Sequence, residues 1–261
     1  IYIADSNFGI FPKDVEYTQH LIDEKKNRVN DINLTMGGFA KNGTKYVEEI
    51  MRMMHDHFNA YHGRKYIKLS FQSHDQTTLD TVQRSNIDNT KLFPMMERFK
   101  ADGVQVDAEM IIGMPGDNQE RWLQTIQTNM DLGINHQKSF TLYVVPNTPM
   151  ASPEYQEKYK IKTKKVLVPY ELDHIKSKEY HNKRINGETV TTTCKFDDPT
   201  EYQTLEFIYE CFTFDSKELM KIYDVWFWFN TLYNAKVARK WMLASNKTAK
   251  EQYSDFITAI D

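Results

Sequence analysis

Ile67-Lys68-Leu69-Ser70-Phe71-Gln72-Ser73, with Arg84 a short way beyond it, decides the fold. Ile67, Leu69 and Phe71 fall on one side of this stretch, and Lys68, Ser70 and Gln72 on the other. That period of two is the period of a β-strand. Residues 76–84 read as a helix, and a second strand, Val106-Asp107-Ala108-Glu109-Met110-Ile111-Ile112, follows further on. Strands that alternate with helices imply parallel β-α units. Parallel strands are normally covered on both faces and read as unbroken apolar runs. This one is polar along one whole face, which is therefore expected to look into a wet or ligand-filled space.

The same unit recurs on either side. Ile1-Tyr2-Ile3-Ala4 reads as a strand ending in Asp5-Ser6-Asn7-Phe8-Gly9, and a helix is expected over Pro12–Lys26. Ile32-Asn33-Leu34-Thr35-Met36 reads as a strand ending at Gly37-Gly38, before a helix with Tyr46, Val47, Ile50, Met54 and Phe58 at helical spacing. Leu92, Met96 and Phe99 mark a helix that stops before Asp102-Gly103. The strand from Val106 ends at Gly113-Met114-Pro115-Gly116, where Asp117 is expected to cap a helix with Trp122, Ile126 and Met130 inward. Ser139-Phe140-Thr141-Leu142-Tyr143-Val144-Val145 reads as the last strand, ending at Pro146-Asn147-Thr148-Pro149. The strand ends recur roughly every 35 residues, a spacing that suits β-α units with short loops.

Asn33 and Thr35, Ser70 and Gln72, Asp107 and Glu109, and Ser139 and Thr141 share parity within their strands and are expected to line one lumen. Ile32, Leu34, Ile67, Leu69, Phe71, Met110, Ile112, Phe140, Leu142 and Val144 are expected to meet the helices. A closed eight-stranded barrel fills its lumen with branched apolar side chains, so a polar lumen predicts an open or partial barrel around a polar ligand. Its site belongs at the carboxyl ends of the strands.

Composition narrows the classes. The 261 residues are 40% hydrophobic and 26% charged, as in a soluble globular chain of one large or two smaller domains. A net charge of -3 gives no signal for nucleic acid held by bulk electrostatics, and no apolar run reaches membrane-spanning length. Cys194 and Cys211 make neither a disulfide framework nor a metal cage, which points to a reducing cytoplasm. His55, His57 and His62 form no credible metal set. The sequence opens at Ile1, inside a strand and without Met, as a fragment would. Its character changes near Ala151: residues 154–165 read as a charged, solvated linker and 166–193 as polar and irregular. Residues 219–232 carry Tyr223, Trp226, Phe227, Trp228 and Phe229 and read as a core helix or a lid. The division expected is 1–150 for the barrel core and 151–261 for a mostly helical extension.

At four places the chain resembles radical S-adenosylmethionine (SAM) enzymes. Leu69-Ser70-Phe71-Gln72-Ser73, with Leu79 and Arg84, resembles their Q-S strand and the arginine after it. Glu109-Met110-Ile111-Ile112-Gly113-Met114-Pro115-Gly116 resembles an acidic residue leading into I-x-G-x-P-G. Tyr143-Val144-Val145-Pro146-Asn147-Thr148-Pro149 resembles P-G-T-P, and Asp5-Ser6-Asn7-Phe8 resembles the D-D-N-F of the cobalamin-associated subgroup. The four lie in order across residues 1–160.

The resemblance implies an α/β fold, a partial (β/α)6 TIM-type barrel with strands 2–6 present. It implies SAM held beside a [4Fe-4S] cluster, cobalamin as a further cofactor, a 5′-deoxyadenosyl radical, and hydrogen abstraction or methyl transfer. The substrate would be a small molecule or a peptide, and the electron donor a flavodoxin or ferredoxin. Carried over by motif, Gln72 and Glu109 contact the SAM ribose and Arg84 its carboxylate; Ser73 lies beside them. These pairings are chemically apt, since carboxylates and amides accept from diols and guanidinium pairs bidentately with carboxylate. Gly113 and the turn at Val145 and Pro146 would approach adenine, and Asp5 and Asn7 the methionine amino group or substrate.

Simpler readings stand beside these: Arg84 as a surface partner of Asp80, and Asp5 as a turn cap. The sequence also departs from the family. The C-x3-C-x2-C cluster loop is absent, so these 261 residues alone are expected to be inactive, and Asn147 stands where the family usually has Gly. A non-catalytic binding module and an unrelated TIM-type barrel lyase are the alternatives.

Overall fold

Three helices of the parallel region end in the same way, and those endings aim the chain back at the sheet. The computed structural model describes residues 2–3, 8–27, 34–36, 45–58, 66–169 and 202–260. In chain order β1 (Tyr2–Ile3), α1 (Pro12–Lys26), β2 (Thr35–Met36) and α2 (Lys45–His57) come first. Then follow β3 (Tyr66–Gln72), α3 (Gln76–Thr81), α4 (Asn89–Ala101), β4 (Gln105–Ile112), α5 (Gln119–Asp131) and β5 (His136–Thr141). The helix expected over Pro12–Lys26 is found at those bounds. After α4 and α5 a left-handed glycine, Gly103 or Gly133, lets the next amide bond back, Val104 to Phe99 O at 2.8 Å and Ile134 to Asn129 O at 3.0 Å. α3 ends identically with Gln83 in the left-handed position (φ 53°) and Arg84 N bonded to Leu79 O at 2.9 Å. This closure satisfies the last helical carbonyls and fixes the exit direction.

β1 pairs with β2 in parallel, and β3, β4 and β5 form a three-stranded parallel sheet in that order. β2 and β3 are not paired among the described residues. The buried face of the three-stranded sheet carries Ile67, Leu69, Phe71, Val106, Ala108, Met110 and Ile112, as the alternation requires. It packs with Leu92, Met96 and Phe99 of α4 and Trp122 and Ile126 of α5 in the main core. Each of these large side chains contributes roughly 1.5–3 kcal/mol by leaving water.

β5 differs from its expected face. In register, Glu109 pairs with Lys138 and Ile111 with Phe140, whereas Met110 pairs with Ser139 and Ile112 with Thr141. Ser139 and Thr141 therefore share the face of the buried row, and Phe140 lies on the open face, 41% exposed. Gln137, 1% exposed on the buried side, explains the reversal. Its amide accepts from Asn129 Nδ2 (2.7 Å) and donates to Ser139 Oγ (3.0 Å), and its backbone exchanges two bonds with the Asn234 side chain. A polar residue is tolerated inside when its groups are paired.

The expected last strand also ends early. Beyond Leu142, whose amide still donates to Ile112 O at 2.9 Å, the chain leaves the parallel sheet, and Val144 N donates to Glu206 O at 2.7 Å while Tyr143 bridges Phe207. Glu206 and Phe207 belong to β7 (Tyr202–Glu210), which pairs antiparallel with β6 (Lys162–Pro169). The stretch read as a charged linker is thus α6 (Pro153–Lys158) and the start of β6, and the extension is not uniformly helical. Its charges belong to an exposed ribbon, where Lys162 pairs with Glu210 at 2.7 Å. The rest of the segment read as irregular, 170–193, lies outside the described residues. α7 (Ser216–Phe229), a π-helical turn (Asn230–Asn234), α8 (Arg239–Ala244) and α9 (Ala249–Ile260) complete the order. Ile222, Val225, Trp228 and Phe229 of α7 enter the main core, so the aromatic helix is a core helix.

Candidate functional site

Where β3 ends, the backbone departs from regular geometry. Ser70 pairs with Glu109 and Gln72 with Met110, so Phe71 is the extra residue of a bulge. Gln72 has φ 67°. A left-handed non-glycine residue costs roughly 1–2 kcal/mol, and such residues cluster at functional sites. Ser73 follows, buried, its Oγ accepting from Asp75 N at 3.1 Å and its carbonyl from Asn86 Nδ2 at 2.8 Å. Asp75 caps α3 by accepting from Thr78 N at 2.8 Å.

The exit from α3 returns Arg84 to this strand end. Its guanidinium donates to Ser70 O and to Asn86 Oδ1, the latter at 3.1 Å. Asp80 is not its partner; that carboxylate accepts from Gln76 Nε2 at 2.6 Å. Among the described residues Arg84 has no carboxylate partner, and burial pushes its pKa down to about 10. It still carries its charge near neutral pH. A half-buried guanidinium with only neutral acceptors is suited to an anion, especially a planar carboxylate.

Glu109 lies across from Ser70 on the open face. It accepts from Ser70 Oγ at 2.6 Å and pairs with Lys68 Nζ at 3.2 Å. Its two oxygens each hold one partner and retain acceptor capacity. The same face continues onto β5, where Lys138 Nζ lies 4.7 Å from the centroid of the Phe140 ring. The structure thus joins Lys68, Ser70, Arg84 and Glu109 directly, with Gln72 at the adjoining bulge.

The loop after β4 is held from several sides. Gly113 has φ 84°, and a Cβ there would meet Leu219 of α7 at 3.4 Å. Gly116 has φ 105°, and a Cβ there would lie 2.8 Å from Thr78 Cα. Gly116 N donates to Thr213 Oγ1 at 3.1 Å, and Arg121 donates to Gly116 O. Gln119 N, at the start of α5, donates to Glu218 Oε1 at 2.9 Å. The cap of α5 is Asn118, whose Oδ1 accepts from Arg121 N at 2.9 Å, and not Asp117. A capping side chain has to stand at the residue flanking the helix, and Asp117 stands one residue further out. Asp117 is 1% exposed; its Oδ1 accepts from Asn118 N at 2.9 Å and its Oδ2 has no partner. Burial above all, with the nearby Asp75 carboxylate, pushes its pKa up to about 8.

Val145 and Pro146 sit beyond β5, separated from β3 by β4 and β5. Val145 O accepts from Thr148 Oγ1 at 2.7 Å, and Asn147 adopts φ 64°, filling the glycine-like position of that turn. Asp5, Asn7 and Cys194 lie outside the described residues. Cys211 is buried with its sulfur 3.3 Å from Thr213 Oγ1, and no metal-binding group of His, Cys, Asp and Glu occurs among the described residues. Sequence reading missed Thr213, Glu218 and the burial of Asp117, whose roles depend on distant parts of the chain. It also missed His74, which the Q-S motif immediately precedes. His74 Nε2 bonds Asn129 Oδ1 at 2.8 Å, and burial holds its pKa down at about 4, so the ring is neutral near pH 7.

No protein-family model matches the chain. It is 29% identical over 165 residues to the cobalamin-dependent radical SAM methyltransferase TokK of Streptomyces tokunonensis, covering 62% of this chain and 23% of that protein. It is 28% identical over 165 residues, with the same coverage, to the 2-(S-pantetheinyl)-carbapenam-3-carboxylate methyltransferase of Streptantibioticus cattleyicolor. The chain therefore spans about a quarter of the length of these relatives. Among solved structures, the radical SAM methyltransferase TsrM of Kitasatospora setae matches with a TM-score of 0.43 at 13% identity, covering 57% of this chain and 28% of that one. The coproporphyrinogen III oxidase HemN of Escherichia coli, a radical SAM enzyme, gives 0.42 at 13%, covering 56% and 35%.

Proposed function

We propose that the chain is the core of a radical SAM enzyme of the cobalamin-associated kind, part of a partial (β/α)6 barrel that binds SAM at the carboxyl ends of β3 and β4. The single observation that carries this reading is Arg84. Its guanidinium is returned to the end of β3, partly desolvated, with no carboxylate partner among the described residues. The sequence relatives named above, which are radical SAM methyltransferases, support the same reading.

SAM fits the groups present. Its methionyl carboxylate would pair with Arg84, displacing the Ser70 carbonyl as acceptor and leaving it to the solvent or the ligand. Gln72, held at the bulge, and Glu109, which has spare acceptor capacity, would receive the ribose hydroxyls. Ser73 anchors the turn beneath them, and the backbone at Gly113, Val145 and Pro146 would border adenine. Asp5 and Asn7 remain candidates for the methionine amino group or the substrate. Bound SAM would supply a methyl group or, on taking up one electron and releasing methionine, a 5′-deoxyadenosyl group for hydrogen abstraction from substrate.

The [4Fe-4S] cluster does not fit these residues. Cys194 and Cys211 are the two cysteines of the sequence, and Cys211 is buried beside Thr213, short of a cluster's thiolate set. We place the cluster ligands outside these 261 residues and expect the chain alone to bind SAM without cleaving it. Residues 1–150 form the core in this reading and 151–261 the substrate-side extension. The substrate is a small molecule or peptide, electrons come from a flavodoxin or ferredoxin, and the compartment is the cytoplasm. No helix among the described residues is long and apolar enough to cross a membrane.

The test is SAM cleavage by the full-length protein. Loss of a charge-assisted pair costs about 1.5–3 kcal/mol, so Arg84→Ala is expected to lower 5′-deoxyadenosine formation at limiting SAM by about ten- to a hundredfold. Unimpaired cleavage in the variant would overturn the site, and no cleavage by the wild type would favour the binding-module or lyase reading.

A further inference from the structure

We propose that Asp117 is a positioning residue that works as a neutral acid: uncharged, it keeps the loop after β4 seated on the first turn of α3, and ionised, it opens that joint. The proposal concerns the proton and the joint; its consequence for SAM rests on the reading above.

The joint is tight and short of positive charge. Gly116 meets Thr78 so closely that a Cβ would lie 2.8 Å from Thr78 Cα. Asp117 is buried beside this contact with Oδ2 unpartnered. The charged groups around it come from three helices. α3 contributes Asp75, whose negative charge opposes a second one. α5 contributes Arg121, which is already committed: it donates to Gly116 O and its Nε lies 3.6 Å from Asp75 Oδ2. Glu120, next to it, pairs with Lys250 at the surface. α7 brings another carboxylate, Glu218, to the first turn of α5, and Lys221 is bound to Glu218 at 3.2 Å. Arg121 is the one cation that acts on Asp117 among the described residues, and its attraction is outweighed by burial. A buried carboxylate with one oxygen unpaired either keeps its proton or draws water in. Here the proton is held up to about pH 8, mainly by burial and then by Asp75.

The sign follows from linkage. The carboxyl is neutral in the folded chain until about pH 8, whereas an unfolded aspartate ionises near its ordinary value of 3.8. Between those limits the unfolded state has released a proton that the folded state retains, so rising pH favours unfolding. The stabilising contribution is complete below the unfolded value and lost as pH rises through the folded one.

The experiment is urea unfolding of the 261-residue chain and of Asp117→Asn across this range. The folding constant of the wild type, divided by that of the variant, is expected to fall about tenfold per pH unit between about pH 4 and about pH 8. Parallel curves would overturn the proposal. If the variant does not fold, carbon-13 titration of the wild-type aspartate carboxyls decides: one carboxyl titrating near pH 8 supports it, and all titrating in the ordinary range overturns it. Above pH 8, amide hydrogen exchange in residues 113–119 is expected to rise in the wild type relative to the variant. Equal protection would refute the joint opening. SAM affinity should fall over the same range in the wild type alone. An absence of SAM binding in both proteins at every pH would refute the SAM reading and leave the proton result standing.

Discussion

The loops that leave β3 and β4 lie side by side, and each needs backbone in the left-handed region. After β4 that need is met by Gly113 and Gly116, at φ 84° and 105°. After β3 it is met by Gln72 at φ 67° and, at the end of α3, by Gln83 at φ 53°. Glycine takes these conformations freely, and an L-residue does so at a cost. Where the second loop packs backbone on backbone, with Gly116 against Thr78, a side chain has no room. Where Gln72 stays a glutamine in spite of strain, the proposed function gives its side chain a use as a ribose ligand. The charges divide the same way: the chain beyond α3 presents Arg84 with neutral acceptors, and the loop after β4 buries Asp117. In the function proposed above, one loop meets SAM and its neighbour holds it in place.

Substitutions can break this contrast, and the largest effect should come from the packed loop. Gly116→Ala puts a methyl group into the Thr78 backbone at an unfavourable φ, and is expected to cost about 3–5 kcal/mol in urea unfolding. A loss under about 1 kcal/mol would mean that the loop after β4 separates readily from α3. Gln72→Gly should act in the opposite sense on stability, relieving roughly 1 kcal/mol of strain while lowering SAM affinity several-fold. Unchanged affinity in that variant would remove the amide from the list of ligands and reduce Gln72 to a strained turn residue.

Local patterns made the parallel region legible. Ile67, Leu69 and Phe71 declared the inner face of β3, and the stripe of Trp122, Ile126 and Met130 that of α5. Asp102-Gly103 marked the end of α4 through chemistry confined to neighbouring residues. Polar alternation misled at β5, because Gln137 is buried by partners on α5 and in the π-helical turn, and no window around Gln137 contains Asn234. The β6–β7 ribbon was hidden for a related reason. Lys162 and Lys164 take one parity of β6 and Lys165 the other, so the charges gave no one-sided pattern. Arg84 entered the candidate site through resemblance, while its desolvation follows from the way α3 closes on Leu79 O. Asp117 read as a cap because the contacts of Gly116 with α3 and Thr213, and of Gln119 with α7, are not written in the neighbouring sequence.

The most direct test of the central claim is a calorimetric titration of SAM into the 261-residue chain and its Arg84→Ala variant, with no cluster present. Saturable binding by the wild type, weakened about ten- to a hundredfold in the variant, is the expected result. Equal affinity in the two proteins, or no heat of binding in the wild type, would contradict the assignment of the β3 and β4 ends as a SAM site.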